Sequence, residues 1–257
     1  MLTINHLEPY TALAEVYQAA DFAAYSTHVG EHLLAIIFDI DWIGRLTLDL
    51  ACGTGDLACW FTEHGFRSTA VDISPAMLRF GAATAEEKGV DVEFIQADMR
   101  TFQARAQFDL VTCLGGSLNY IATLRDLESV FRQAALATAP GKLFAFDLRT
   151  IQGLASSGSC DQIEYDNHQD ISIVTHRVFN YETLLLTMDY VIMRHQPDTG
   201  WQRADETHIL RGYPVQAVTS LLTRTGFKLL RTVTPDMVPA ETQRDVGQLV
   251  FVATREA

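Results

Sequence analysis

The 257 residues suffice for one large domain, or a domain with a small lobe, and a hydrophobic content of 48% can fill a full core. A net charge of −13, only three lysines (Lys88, Lys142, Lys228) and no Lys/Arg cluster argue against a nucleic-acid binder and against phosphate-rich partners. The cysteines at 52, 59, 113 and 160 form no C-x-x-C pair, which argues against zinc and a disulfide framework. With no signal-peptide pattern and no apolar run near the ~20 residues of a membrane span, the chain reads as cytoplasmic.

Leu13, Val16, Tyr17, Ala20 and Ala24 recur at steps of three and four, which predicts a helix over Tyr10–Tyr25. A second is expected over His28–Ile40. From Leu46 the pattern alternates. Strands are predicted at Leu46–Leu50, Ser68–Asp72, Asp91–Gln96, Phe108–Cys113 and Lys142–Asp147, with helices at Gly55–His64, Pro75–Lys88 and Leu124–Thr138. Short apolar strands separated by helices make a parallel sheet covered on both faces, and ligands of such sheets bind beyond the carboxyl ends of the strands.

The first strand end reads Asp49-x-Ala51-x-Gly53-x-Gly55. Its small residues leave room for a ligand, glycine tolerates positive φ, and the following helix offers free N–H groups. The spacing is not the G-x-G-x-x-G of a dinucleotide site, and a carboxylate at the mouth suits a cationic or amine-bearing ligand rather than a pyrophosphate. A plain strand-to-helix turn is the alternative. Asp72 ends the second strand about 20 residues later, where a carboxylate can accept hydrogen bonds from ribose hydroxyls. Ser74 reads as an N-cap with Pro75 at the first helical position. Gln96-Ala97-Asp98-Met99 follows the third strand. Cys113-Leu114-Gly115-Gly116 follows the fourth, with Ser117, Asn119 and Tyr120 as polar groups for the mouth.

Gly153–Ser159 reads as a Gly/Ser-rich linker. Alternation then predicts an antiparallel meander over Gln162–Tyr165, Ile171–Tyr181, Leu184–Arg194 and Gln202–Leu210. A helix over Pro214–Thr225 with Gly226 as its cap, and strands at Phe227–Thr234 and Gly247–Thr254, complete a seven-stranded sheet. The expected division is residues 1–45 as helices over the ligand site, 46–152 with 211–257 as the core, and 160–210 as a β insertion, either an acceptor lid or a dimer surface.

This order of strand-end motifs resembles the class I S-adenosylmethionine-dependent methyltransferases, whose first loop is usually Asp-x-Gly-x-Gly-x-Gly; Ala51 stands in place of the first glycine. The resemblance covers about residues 10–150 and is extended by the helix-Gly-Phe-strand-strand ending. It implies an α/β, Rossmann-like fold and S-adenosylmethionine as cofactor, with S-adenosylhomocysteine as product. Carried over residue by residue, it places Asp49, Ala51, Cys52, Gly53 and Gly55 in the cofactor loop. Asp72 falls on the ribose with Ile73 beside it, and Asp98 and Met99 on the adenine. Cys113, Leu114 and Gly115 fall at the methionine end, and Tyr17 and Tyr25 over the cofactor. The β insertion resembles the acceptor lid of small-molecule N- and O-methyltransferases, including those acting on glycine-type amines and amino sugars. Asn119, Tyr120, His176, Arg211 and Tyr213 are then acceptor-binding candidates, and Tyr25, His208 and Tyr213 catalytic candidates. Arg177, Tyr190, Arg194, His195 and Glu206 are further polar groups of the lid; a wet sheet face is the other reading of all of these. The expected activity is in-line methyl transfer to a small molecule, at an amine nitrogen in preference to an oxygen, with no metal, by a monomer or homodimer. Another transferase on the same fold, such as an aminopropyl transferase, and a non-catalytic cofactor-binding partner protein are the alternatives.

Overall fold

A computed structural model describes residues 6–38, 42–156, 158–242 and 246–256. A two-residue strand, β1 (His6–Leu7), precedes an irregular segment with one 3-10 turn at Leu13–Glu15. Helix α1 (Ala24–Phe38) leads into β2 (Leu46–Leu50), α2 (Asp56–Glu63), β3 (Arg67–Asp72), α3 (Pro75–Lys88), β4 (Val92–Gln96) and β5 (Phe108–Cys113). After α4 (Leu124–Ala137) come β6 (Thr138–Arg149), the short α5 (Ile151–Ala155) and the meander β7 (Cys160–Asp166), β8 (Ile171–Asn180), β9 (Leu185–Gln196) and β10 (Gly200–Arg211). Helix α6 (Val215–Arg224), β11 (Phe227–Val233) and β12 (Gln248–Arg255) close the chain.

Seven strands form one sheet in the order β11-β12-β6-β5-β2-β3-β4. Its β2, β3, β4, β5 and β6 are mutually parallel, and β12 runs antiparallel to both β6 and β11. The order reverses between β2 and β5, which opens a crevice at their carboxyl ends. One face is packed by α4 and α6 through Leu127, Phe131, Val218 and Leu222 against Phe144, Phe146, Phe227 and Phe251. The other is packed by α1 and α2 through Val29, Leu33, Ile37, Leu57 and Phe61. Strands buried on both faces explain the near-continuous apolar runs in the sequence. Asp109, at the start of β5, accepts hydrogen bonds from the backbone N–H groups of Arg45 (2.8 Å) and Leu46 (3.0 Å) and so fixes where β2 begins.

The second sheet has the order β1-β10-β9-β8-β7. The four-stranded meander is as expected, but β1 adds a parallel edge strand to β10, pairing His6 with Asp205 and Leu7 with Glu206. Among the described residues, no helix is long and apolar enough to cross a membrane.

Two expectations need correction. The expected helix over Tyr10–Tyr25 does not form, and only Ala24 and Tyr25 are α-helical, as the start of α1: Tyr10 and Asp21 have φ of 62° and 57°, and the segment turns repeatedly. The cause is long-range. One buried carboxylate, Glu206 of β10, collects the backbone N–H groups of Tyr10 (2.8 Å), Thr11 (3.0 Å), Ala12 (2.5 Å) and Leu13 (3.0 Å), which a helix beginning there would not aim at a single point. The apolar spacing still marked the buried side, because Leu13 and Val16 pack on Ile173 and Ile192 of the second sheet. The second expected helix starts earlier, at Ala24, and its last two expected residues lie outside the described ones. The Gly/Ser stretch is also not a linker throughout, since Gly153, Leu154 and Ala155 belong to α5. Thr150 caps α5 by accepting from the Gly153 N–H (2.9 Å), and a Cβ on Gly153 would stand 1.9 Å from the Gly247 carbonyl oxygen. Glycine is needed there for close approach, not for flexibility.

Candidate active site

A cavity of about 370 Å³ opens at the carboxyl ends of β2, β3 and β5, beneath the irregular segment. Its floor is the loop Ala51–Thr54, with Asp72, Ile73 and Met99 to one side and Leu114 and Gly115 to the other. Its roof includes Pro9, Tyr10, Thr11 and Tyr17, and Tyr120 closes the end nearest the second sheet.

The floor loop is held by one side chain. Asp72 Oδ2 accepts from the Gly53 N–H and Oδ1 from the Ser74 N–H, both at 2.8 Å. Ser74 in turn caps α3 by accepting from the Met77 N–H (3.3 Å) and donates its hydroxyl to the Tyr10 carbonyl (3.1 Å). Ala51 takes φ of 54° and Gly53 of 57°. Ala51 therefore adopts the left-handed conformation that glycine usually fills. Gly55 (φ 68°) sits at the N-terminus of α2, where a Cβ would come within 2.5 Å of the Phe94 ring.

Burial pushes the carboxyl of Asp49 up to about 7, with a hydrogen bond from Thr112 (2.7 Å) opposing and the neighbouring Asp72 adding to the rise. Burial raises Asp72 as well, against the backbone hydrogen bonds it accepts. Two adjacent buried carboxylates make a floor that favours a cation.

Of the sequence candidates, Tyr17, Ala51, Cys52, Gly53, Asp72 and Ile73 line the cavity, as do Met99, Leu114, Gly115 and Tyr120. Asp49 and Gly55 lie just beneath the loop and shape it. The other candidates stand elsewhere. Cys113 is fully buried in the core. Asp98 has both carboxylate oxygens taken by Arg100, the shortest contact being 2.5 Å, and does not line the cavity. Tyr25 donates to Asp147 Oδ2 (2.6 Å), whose other oxygen holds the Gly116 N–H (2.8 Å); it braces the glycine turn after β5 rather than facing the cavity.

Asn119 is fully buried, spending its amide on the carbonyls of Arg149 (3.0 Å) and Arg211 (2.8 Å) and its oxygen on the Arg149 N–H (2.8 Å). Arg211 donates to the Ala122 carbonyl (2.8 Å), and Tyr213 donates to that of Ile121. All three tie the second sheet to the segment after β5, and none of them lines the cavity. His176 pairs across from Asp189 on the outer face of the second sheet and bonds Asp161 (2.7 Å). His208, by contrast, is fully buried on the inner face, between Tyr120 (2.7 Å) and Glu206 (3.0 Å).

The sequence reading missed Tyr10, whose ring lines the cavity and whose hydroxyl donates to that of Tyr120 (2.7 Å). It also missed Glu8, Thr54, Asp56 and Ser26 of the lining. An aromatic ahead of the first apolar step was the one available signal.

Fold and cavity together define an α/β protein with a nucleoside-sized, acid-lined cavity at its strand ends. A family model described as "Methyltransferase domain" matches residues 47–141. The "Putative methyltransferase YqeM" of Bacillus subtilis (strain 168) is 32% identical over 213 residues, covering 82% of this chain and 84% of that protein. The dTDP-4-amino-2,3,4,6-tetradeoxy-D-glucose N,N-dimethyltransferase of Saccharopolyspora spinosa is 26% identical over 186 residues, covering 70% of each chain. The crystal structure of an S-adenosylmethionine-dependent methyltransferase from Clostridium acetobutylicum superimposes with a TM-score of 0.81 at 22% identity, covering 90% of this chain and 92% of that one. The chain belongs to the class I S-adenosylmethionine-dependent methyltransferases.

Its cofactor is S-adenosylmethionine, and the residues present fit it. The cavity falls within the roughly 300–1,000 Å³ of small-ligand sites. The Gly53 Cα faces open space, where a Cβ would meet nothing within 4 Å. The carboxylates beneath suit a sulfonium and an ammonium.

Proposed function

We propose that this methyltransferase acts on the amine nitrogen of a small molecule held between the strand ends and the inner face of the second sheet. The observation that carries this reading is the charge of the cavity. Among its described lining residues are three carboxylates, Glu8, Asp56 and Asp72, and no Lys, Arg or His. Such a wall attracts cations and repels phosphates, and the rings of Tyr10, Tyr17 and Tyr120 add faces on which an ammonium is favoured. Any anionic part of an acceptor must lie outside it. The roof formed by residues 8–17 suits a small acceptor better than a polymer. The Saccharopolyspora relative is named for methylation at an amino-sugar nitrogen, which also supports nitrogen over oxygen.

Bound at this floor, the cofactor supplies a methyl group already activated on a sulfonium. The chain's own work is to hold a neutral amine in line with that methyl and to exclude water. In this reading Asp72 keeps its brace on Gly53 and Ser74 while its remaining lone pairs meet the ribose. Asp98 reaches the adenine only if Arg100, its half-exposed bidentate partner, swings away.

Calorimetric titration with S-adenosylmethionine and S-adenosylhomocysteine comes first, expected to give micromolar binding. A mass-spectrometric screen for methylated product then uses glycine, simple primary amines, amino sugars and hydroxyl analogues of each. Methylation of the hydroxyl analogues alone would overturn the nitrogen assignment while leaving the methyltransferase intact.

A further inference from the structure

The hydrogen bonds at the closed end of the cavity run in one direction. Tyr10 Oη donates to Tyr120 Oη at 2.7 Å. Tyr120 Oη lies 2.7 Å from His208 Nδ1 and donates to it when the ring is neutral with its proton on Nε2. His208 then carries its proton on Nε2 and donates it to Glu206 Oε2 at 3.0 Å. Of the two neutral tautomers, Nε2–H is the one that suits both partners, because a Nδ1–H would leave the Glu206 contact without a hydrogen. Tyr10 and Tyr120 line the cavity, whereas His208 and Glu206 are fully buried behind them. The series therefore starts at the cavity wall and ends on a buried imidazole–carboxylate pair.

We propose that Tyr10, Tyr120 and His208 form a proton relay that takes the proton from the acceptor ammonium, with Glu206 positioning and charge-balancing the imidazole. This rests on the amine reading above and names how that amine is made nucleophilic. The acceptor N–H proton passes to Tyr10 Oη, the Tyr10 proton to Tyr120 Oη, and the Tyr120 proton to His208 Nδ1. The products are a neutral amine with its lone pair free, two intact phenols, and an imidazolium beside a carboxylate. No electrons change hands, and the proton returns to solvent by the reverse path once product has left.

The surroundings agree. Burial pushes both Tyr10 and Tyr120 up, so each phenol passes a proton rather than waiting as a phenolate. Burial alone would raise Glu206, but hydrogen bonds from His208 and from the backbone of Leu13, Ala12 and Tyr10 outweigh it, so the carboxylate stays ionised to meet an imidazolium. From β9, the Tyr190 ring lies 4.7 Å from that of His208. Beyond it stand Glu164 of β7, Arg177 of β8 and Arg149 of β6, with Glu164 and Arg177 joined in an ion pair. Across the cavity, Asp56 and Asp72 act on Tyr17. The role is the one that a buried carboxylate plays behind a catalytic histidine: it sets the tautomer and stabilises the charged ring.

The test has two arms. Long-range 15N–1H spectra of the wild type, with His208 assigned by its loss in His208→Gln, need no acceptor. The expected result is a neutral ring protonated at Nε2, with Nδ1 showing the shift of a hydrogen-bonded acceptor. A Nδ1–H tautomer, or a ring charged throughout the neutral range, overturns the relay. The second arm follows methylation of glycine and the amines of the screen by wild type, Tyr10→Phe and His208→Gln against pH. Tyr10→Phe keeps the ring and leaves the Glu206 clamp untouched. Its kcat is expected to fall about a hundredfold or more at neutral pH, with S-adenosylmethionine affinity retained along with the ring and a melting temperature only about 2–4 °C lower for the lost hydrogen bond to Tyr120. That rate should then recover by about tenfold per pH unit as the free amine deprotonates in solution. A deficit of the same size at every pH, or none, overturns the relay. Failure of the wild type to bind S-adenosylmethionine would instead refute the methyltransferase reading, which the spectral arm does not depend on.

Discussion

Asp72 is asked to do two things, and they can be separated by measurement. In the ligand-free protein it joins the floor loop to the start of α3 through the N–H groups of Gly53 and Ser74. Asp72→Asn keeps one acceptor oxygen and turns an NH2 group toward the other N–H. Leaving one buried donor without a partner costs about 1–3 kcal/mol, partly offset by removal of a charge whose burial is itself unfavourable. Urea unfolding of the ligand-free variant should therefore lose about 1–2 kcal/mol, a drop of roughly 2–8 °C in melting temperature for a chain of this size. In calorimetry the same variant should bind S-adenosylmethionine more than tenfold more weakly, about 1.4 kcal/mol or more.

S-adenosylhomocysteine separates ribose contact from charge, because it keeps the ribose and lacks the sulfonium. A ribose contact predicts equal losses for the two ligands; a field effect predicts a larger loss for S-adenosylmethionine. If stability falls while both affinities stay within about twofold of wild type, Asp72 is a brace only and the ribose assignment is refuted. If neither changes, the hydrogen-bond accounting is wrong as well.

Asp49, held near 7 against an ordinary 3.8, binds a proton in the folded state that it lacks when unfolded. Its contribution to ligand-free stability is full below the unfolded value and is lost as pH rises to about 7, by at most about 4 kcal/mol over those three units. A cationic cofactor reverses the preference, so binding near neutrality should release a proton, visible as a dependence of the titration enthalpy on buffer ionisation heat; no dependence refutes the linkage. Ala51→Gly should raise ligand-free stability by about 0.5–1 kcal/mol, because a residue with a Cβ is strained at φ of 54°; a loss in urea unfolding would count against it. Tyr25→Phe strips one donor from the fully buried Asp147 and should cost about 1.5–3 kcal/mol in the same assay, with S-adenosylmethionine affinity little changed if Tyr25 only braces the turn.

The core was legible because its signals are local. Ser74, Pro75 and Gly226 act at helix ends as their chemistry demands, and the strands bounded by Asp49, Asp72 and Cys113 end within a residue of where the apolar runs stop. The acceptor side was not legible, because its geometry depends on register. His176 and His208 are both even-numbered residues of amphipathic strands, β8 and β10, that flank β9, yet one faces out and the other in. β8 pairs its even positions with odd ones of β9, as His176 with Asp189, while β9 and β10 pair like with like, as Met188 with His208. That parity is set by the turns at 181–184 and 197–199, not by either strand's own pattern. Tyr10 was hidden for a related reason: its partner Tyr120 is 110 residues away.

The same long-range contacts explain why the cavity belongs to neither sheet alone. Its floor comes from β2, β3 and β5, its end wall from Tyr120, and its roof from a segment whose conformation is dictated by Glu206 of the second sheet. Ser74 closes the circuit by bonding the Tyr10 carbonyl from the floor side. Glu206 thus serves the roof and His208 with one carboxylate: Oε1 takes the N–H groups of Thr11, Ala12 and Leu13, and Oε2 takes those of Tyr10 and His208. Cofactor enclosure and acceptor deprotonation then share a group. Tyr10 heads the relay and is one of the roof residues whose N–H groups Glu206 holds, so the segment that covers the cavity also places the relay's first hydroxyl.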